Sequence, residues 1–163
     1  MKSEPSIALL NEAVADELTA VHQYMYFHFH LDDQGFGPLA TLFKRTAITE
    51  MGHVEKLAER ILFLKGDVQM EASGDVLSIH EPEEMLAKAV EMERKSAVDY
   101  NQAAQKCSAN ADSASKQLFE ALVRDEEAHF AEYDKQLDHI RRFGPTFLAL
   151  QSLGKETPDA PAE

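Results

Sequence analysis

Two Glu-x-x-His steps, Glu50-Met51-Gly52-His53 and Glu126-Glu127-Ala128-His129, carry the chemistry within reach of this chain. On a helix, residues i and i+3 share one side about a pitch apart, so each step can offer one metal ion a carboxylate and an imidazole. With 18 Glu and 7 His in 163 residues, chance alone supplies about one such step, so spacing by itself decides little. Phase decides more. Both steps, and two further acids, Glu17 and Glu93, fall on apolar helical stripes where a core otherwise takes Leu. A buried unpaired carboxylate is costly, so each of these positions needs a partner or a metal.

Four inward Glu and two inward His on four helices form the ligand set of a carboxylate-bridged two-metal centre. An oxygen-rich set with one imidazole per ion suits iron or manganese, and thiolates, which favour zinc or copper(I), are absent from it. Glu50 and Glu126 are the expected bridging ligands, with Glu17 and Glu93 terminal. The competing reading is a buried salt-bridge network, in which four acids against two histidines leave charge uncompensated.

Positioning these groups requires long helices. The first is expected over about residues 5–32, capped by Ser3 or Ser6, with Leu10, Val14, Glu17, Val21, Tyr24 and Leu31 inward. After the turn-forming run at 32–38, a second helix is expected to about Lys65, stopping at Gly66. Its inner stripe reads Phe43, Thr46, Glu50, His53, Leu57, Arg60 or Ile61, and Leu64. Residues 66–81 lack helical periodicity and are too many for a hairpin, which implies a crossover along a bundle. Pro82 opens a third helix, followed by acids suited to its dipole, with Leu86, Ala89, Glu93, Ser96, Tyr100, Ala103 and Cys107 inward. The fourth runs to about Phe143, with Phe119, Leu122, Glu126, His129, Tyr133, Gln136 or Leu137, and Ile140 inward. Gly144-Pro145 breaks it, and a short apolar helix follows. The expected fold is all-α: a four-helix bundle with one long crossover and a short fifth helix, residues 1–153, then a disordered polar tail, 154–163.

The net charge of −13 argues against binding nucleic acid or an anionic membrane through a basic surface. A single cysteine, Cys107, excludes an intrachain disulfide and fits a reducing compartment. No apolar run approaches a membrane span, and the N-terminal residues lack an apolar signal segment, so the expected location is cytoplasmic. His28 and His30 are assigned to a solvated helix end, with a channel or surface metal site as the alternative. His80 and His139 show no constellation.

The chain resembles the bacterioferritins, the haem-containing branch of the ferritins. The resemblance rests on Asp16-Glu17-Leu18 leading to Gln23-Tyr24, Glu50-Met51-Gly52-His53 and Glu59-Arg60-Ile61-Leu62-Phe63-Leu64. It continues through Glu83-Glu84-Met85-Leu86, Glu93 and Arg124-Asp125-Glu126-Glu127-Ala128-His129. It covers roughly residues 4–152. It implies a homo-oligomeric ferritin-like shell of 24 subunits that oxidises Fe(II) with O2 or H2O2, stores ferric mineral, and releases iron when a ferredoxin-type reductant supplies electrons. By the same resemblance all six di-iron ligands are present, Glu17, Glu50, His53, Glu93, Glu126 and His129, with Tyr24 beside them. Met51 follows Glu50 by one residue and so points about 100° away from the bundle interior. In bacterioferritins the Met at this place, with its mate across a two-fold axis, ligates haem b; Leu18, Val21 and Met25 could line that pocket, and His22 adds a competing polar group. The family often has a His and an Asp for inner-surface iron where Arg45 and Thr49 stand here.

The favoured function is therefore an iron-storage ferroxidase. The alternatives are a peroxide-consuming di-metal enzyme of the same fold, without mineral storage, and a metal- or haem-binding shell with a silent centre. A DNA-coating mini-ferritin is set aside because all six candidate ligands lie in one chain and no basic tail is present.

Overall fold

The computed structural model of the chain describes residues 3–153, so the expected disordered tail lies outside the described residues. Five helices follow one another: α1 (Glu4–Asp33), α2 (Gly37–Phe63), α3 (Pro82–Ala109), α4 (Ser113–Phe143) and α5 (Pro145–Leu153). α1 packs along α2 and α3 along α4, and residues 64–81 carry the chain from one hairpin to the other.

The helices end where backbone geometry permits. At the end of α1, Gly35 N–H donates to Asp32 O and Phe36 N–H to Leu31 O, the paired bonds of a Schellman stop. The same pattern ends α2 through Lys65 and Gly66, and α3 through Ala111 and Asp112. The left-handed position after α2 is thus Lys65 (φ 64°), and the helix stops at Phe63, two residues before the expected end. Gly66 is required for another reason: a Cβ there would stand 2.8 Å from Ile7 Cγ2 and 3.0 Å from Ile61 Cγ2. Ser3 occupies the N-cap position of α1, but its hydroxyl donates to Ser6 Oγ and caps no backbone group. Asp112 does cap α4, accepting from Ser115 N–H at 3.1 Å while Arg60 of α2 donates to the same oxygen.

The crossover lacks regular structure, so its backbone groups need other partners. Polar residues of α1 supply several. Asn11 bonds Asp67 O and Gln69 N–H, Gln23 bonds both the carbonyl and the N–H of Leu77, and Thr19 accepts from Ser73 N–H.

The interior divides into two apolar clusters. One is built around Tyr24, Phe27, Phe43, Leu86, Tyr133 and Ile140, the other around Leu10, Val14, Leu57, Ile61, Tyr100 and Phe119. Between them lies a polar layer of Glu17, Glu50, His53, Glu93 and Glu126, each at most 2% exposed. Val21 and Ser96, expected inward, are only partly buried, and Phe27 takes an inward place on α1 instead. Ile61 rather than Arg60, and Leu137 rather than Gln136, complete the stripes of α2 and α4.

Candidate metal centre

Each bundle helix contributes to the polar layer: Glu17 from α1, Glu50 and His53 from α2, Glu93 from α3, Glu126 and His129 from α4. Their atoms fall into two groups that could each hold a metal ion. Glu17, Glu50, His53 and Glu126 form one, and Glu50, Glu93, Glu126 and His129 the other, with candidate ligand atoms within 4.8 Å of one another. His53 Nδ1 lies 2.8 Å from Glu50 Oε2, 3.2 Å from Glu126 Oε1 and 3.3 Å from Glu17 Oε1. His129 Nδ1 lies 3.0 Å from Glu50 Oε1, 3.5 Å from Glu93 Oε2 and 3.7 Å from Glu126 Oε2. Glu50 and Glu126 therefore direct one oxygen into each half, and Glu17 and Glu93 serve one half apiece.

The contacts are close but poorly aligned. Both carboxylate oxygens of Glu50, Glu126 Oε1, His53 Nδ1 and His129 Nδ1 are buried without a hydrogen-bond partner. Folded chains seldom leave so many polar atoms unsatisfied in one place, and the shared direction of these five suits cations between them.

A second layer fixes the first. Tyr24 and Tyr100 each follow an acid of their own helix by seven residues, and each phenol crosses to the other helix. Tyr24 donates to Glu93 Oε1, and Tyr100 to Glu17 Oε1 at 2.7 Å. Asp125 Oδ2 lies 3.1 Å from His53 Nε2, so it accepts that N–H and turns Nδ1 toward the centre. Tyr24 was legible in the sequence as a neighbour of the site. Tyr100 was placed only on the inner stripe, and Asp125 only within the family motif. Their roles depend on contacts across 72 to 83 residues that helical period does not reveal. Replacing Tyr100 by Phe removes the bond that holds Glu17 and is expected to weaken metal affinity or turnover about 10-fold or more while the fold persists. Isothermal titration with Fe(II) under anaerobic conditions reads this directly; unchanged binding and rate would remove Tyr100 from the site.

Electrostatics follow from burial. Without metal, burial is the main force raising Glu17 and Glu93 well above the usual carboxylate range. Burial pulls the His53 imidazole down, but Glu126, Glu17 and Glu50 outweigh it and push it up to about 12; His129 is raised in the same way by Glu126, Glu50 and Glu93. Burial opposes ionisation of Glu126 too, yet the two imidazoles bring it down to about 2. Tyr24 and Tyr100, raised first by burial and then by the facing carboxylates, stay neutral donors.

Other residues singled out in the sequence lie elsewhere. Met51 is 57% exposed on the outside of α2. Arg45 pairs with Glu132 of α4, and the Thr49 hydroxyl donates to Arg45 O, so both are engaged away from the centre. Gly52 leaves open space where a Cβ would stand. Cys107 is a fully buried core residue. His28 and His30 turn to different partners: His28 Nδ1 contacts Ala40 O, whereas the His30 ring lies tilted against that of His80, which the sequence had left without a constellation.

A four-helix bundle with one long crossover and a buried layer of four carboxylates and two imidazoles defines a ferritin-like protein. A family profile described as a ferritin-like domain matches residues 7–143. Bacterioferritin of Rhodobacter capsulatus is 38% identical over 146 residues, covering 88% of this chain and 89% of the relative. Bacterioferritin of Desulfovibrio desulfuricans is 36% identical over 143 residues, covering 88% and 80%. An X-ray structure of the Desulfovibrio desulfuricans protein, described with its diiron site in different catalytic states, superposes with a TM-score of 0.93 at 33% identity, covering 97% of this chain and 92% of that one. The chain belongs to the ferritin family, in its bacterioferritin branch. Among the described residues no helix is long and apolar enough to cross a membrane.

Proposed function

We propose that this chain is a ferroxidase that stores iron. Two Fe(II) ions enter as substrate, one taken by Glu17 and His53 and the other by Glu93 and His129, with Glu50 and Glu126 shared between them. Together they give up two electrons, enough to reduce O2 to H2O2 or H2O2 to water, and Fe(III) passes to mineral inside a hollow shell of 24 copies. The observation that carries the reading is the buried two-halved cluster, whose unpartnered carboxylate and imidazole atoms converge on two adjacent cation positions. The diiron site named for the Desulfovibrio desulfuricans relative supports iron as the metal. A cytoplasmic location, supported by the single unpaired cysteine, and release of iron as Fe(II) with electrons from a ferredoxin-type reductant belong to the same reading.

An anaerobic Fe(II) titration of metal-free protein, followed by O2 or H2O2 and optical recording, tests it. Fast oxidation saturating near two irons per chain, with later mineral growth, is the expected result. Oxidant consumed repeatedly without mineral would replace storage with a peroxide-consuming enzyme, and no fast phase would leave a silent shell.

The same reading includes haem b at Met51. Its exposed thioether on α2 stands on the outer surface, and Leu18, Val21 and Met25 on α1 are partly buried. A second copy of the chain would supply the other thioether, and the haem would serve as an electron-transfer group. Met51→Leu keeps the apolar surface and removes the ligand. Most of the haem absorbance should be lost with rapid Fe(II) oxidation retained, and an unaltered visible spectrum would reject Met51.

A further inference from the structure

Away from the bundle centre, a second set of metal-ligating side chains meets at the far end of α1. His30, in the last turn of α1, and His80, at the end of the crossover, have ring centroids 4.7 Å apart with planes at 47°. Tyr26, one turn before His30, has its hydroxyl 2.8 Å from His80 Nε2 and its ring 4.3 Å from that of His30. Both strands of chain are fixed there, because Gln34 donates its side-chain N–H to His80 O at 3.0 Å and its backbone N–H to His30 O at 3.1 Å. His80 is exposed and the other two are half-buried, so an ion can arrive from solvent.

We propose that His30 and His80 form a surface site for a borderline divalent transition-metal ion, with Tyr26 orienting His80. An imidazole bound at about 2.0–2.1 Å puts its ring centre about 3.2 Å from the ion, so two such rings at angles from square to tetrahedral stand about 4.5–5.2 Å apart. The observed 4.7 Å falls inside that interval. A ligating His normally gives its other ring N–H to an acceptor, which fixes the tautomer. The Tyr26 hydroxyl is placed to accept from Nε2 and leave the Nδ1 lone pair free. The tilted ring contact with Tyr26 accounts for His30, but it gives no reason for a second imidazole 4.7 Å from the first. One cation between the two rings uses a nitrogen lone pair from each. Asp32 and Asp33 follow His30 at the negative end of the α1 dipole, and Glu81 follows His80, so the local field favours a cation. A donor pair of imidazoles selects ions of the zinc, copper, nickel and iron class over magnesium or calcium.

Co(II), whose visible bands report binding, is the probe, titrated into the full-length chain and its His30→Ala and His80→Ala variants. Unmodified protein should take up one more Co(II) per chain than either variant. In a Glu50→Ala/Glu126→Ala background, which disables the central cluster, the additional band should persist and then vanish on adding His80→Ala, so the result does not depend on the ferroxidase reading. Tyr26→Phe should weaken this uptake about 10-fold or more; an unchanged isotherm would overturn its orienting role. Equal stoichiometry and spectra in unmodified protein and both histidine variants would overturn the site.

Discussion

Replacing Glu50 by Ala is expected to slow Fe(II) oxidation about 100-fold or more, beyond the 10- to 100-fold typical of losing an outer-shell partner. Glu50 is the most exposed point of failure in the cluster because its two oxygens face different imidazoles, at 2.8 Å and 3.0 Å. Its removal takes a ligand from both cation positions at once, and neither electron donor is then held where the pair can act together. Glu17→Ala empties one position of a single ligand, so its effect should be smaller. Glu50 also supports the metal-free fold, because its two buried oxygens face the two imidazoles. Removing one side of a buried charge pair leaves the other side uncompensated and is destabilising. The thermal midpoint of metal-free Glu50→Ala should therefore fall below that of the unmodified chain. Stopped-flow initial rates and a melting curve check both halves. A variant that oxidises Fe(II) at the original rate would break the assignment of Glu50 as a shared ligand.

The ease with which this site is read from sequence has a definite physical origin. A helix converts spacing into direction, so an acid in phase with Leu10 and Val14, or with Phe119 and Leu122, must be buried wherever the partner helices lie. That is why Glu17, Glu50, Glu93 and Glu126 could be placed in one layer, and why 66–81 could be read as a crossover from its broken period. What period cannot encode is which side chain meets which across the bundle. From sequence Tyr24 is a neighbour of the site and Tyr100 a core aromatic on another helix; only packing shows that each phenol serves the other helix's acid. His80 is a plainer case. It sits in an irregular segment, and its approach to His30 is decided by where the crossover lands on α1. The Lys65 stop is similar, since Gly66 advertised a left-handed residue that the chain in fact places one position earlier.

The second large effect concerns protons. In the metal-free chain, His53 and His129 are raised and so carry their protons at neutral pH, and burial favours the protonated form of Glu17 and Glu93. Two divalent cations facing four carboxylates and two neutral imidazoles are electrically balanced. Loading both metals therefore displaces the two imidazole protons, together with those that burial holds on Glu17 and Glu93, because ligands must be deprotonated to bind. The sign follows directly. These groups hold protons more tightly without metal than with it, so lower pH favours the metal-free state and affinity rises with pH. Between the ordinary imidazole range and the raised value of about 12 for His53, each displaced imidazole proton changes the binding constant about 10-fold per pH unit. The product of the two metal affinities should thus change by about 10² per unit or more. Titrating metal-free protein with Fe(II) in weakly buffered, oxygen-free solution should release at least two protons per chain by the second equivalent. Glu50→Ala and Glu126→Ala should release fewer, since each loses one of the carboxylates whose charge holds the imidazole protons in place. Binding without proton release, or affinity independent of pH between 6 and 8, would mean that the imidazoles are already neutral in the empty bundle. The cation pair would then have to find its charge balance elsewhere, in acids outside the six.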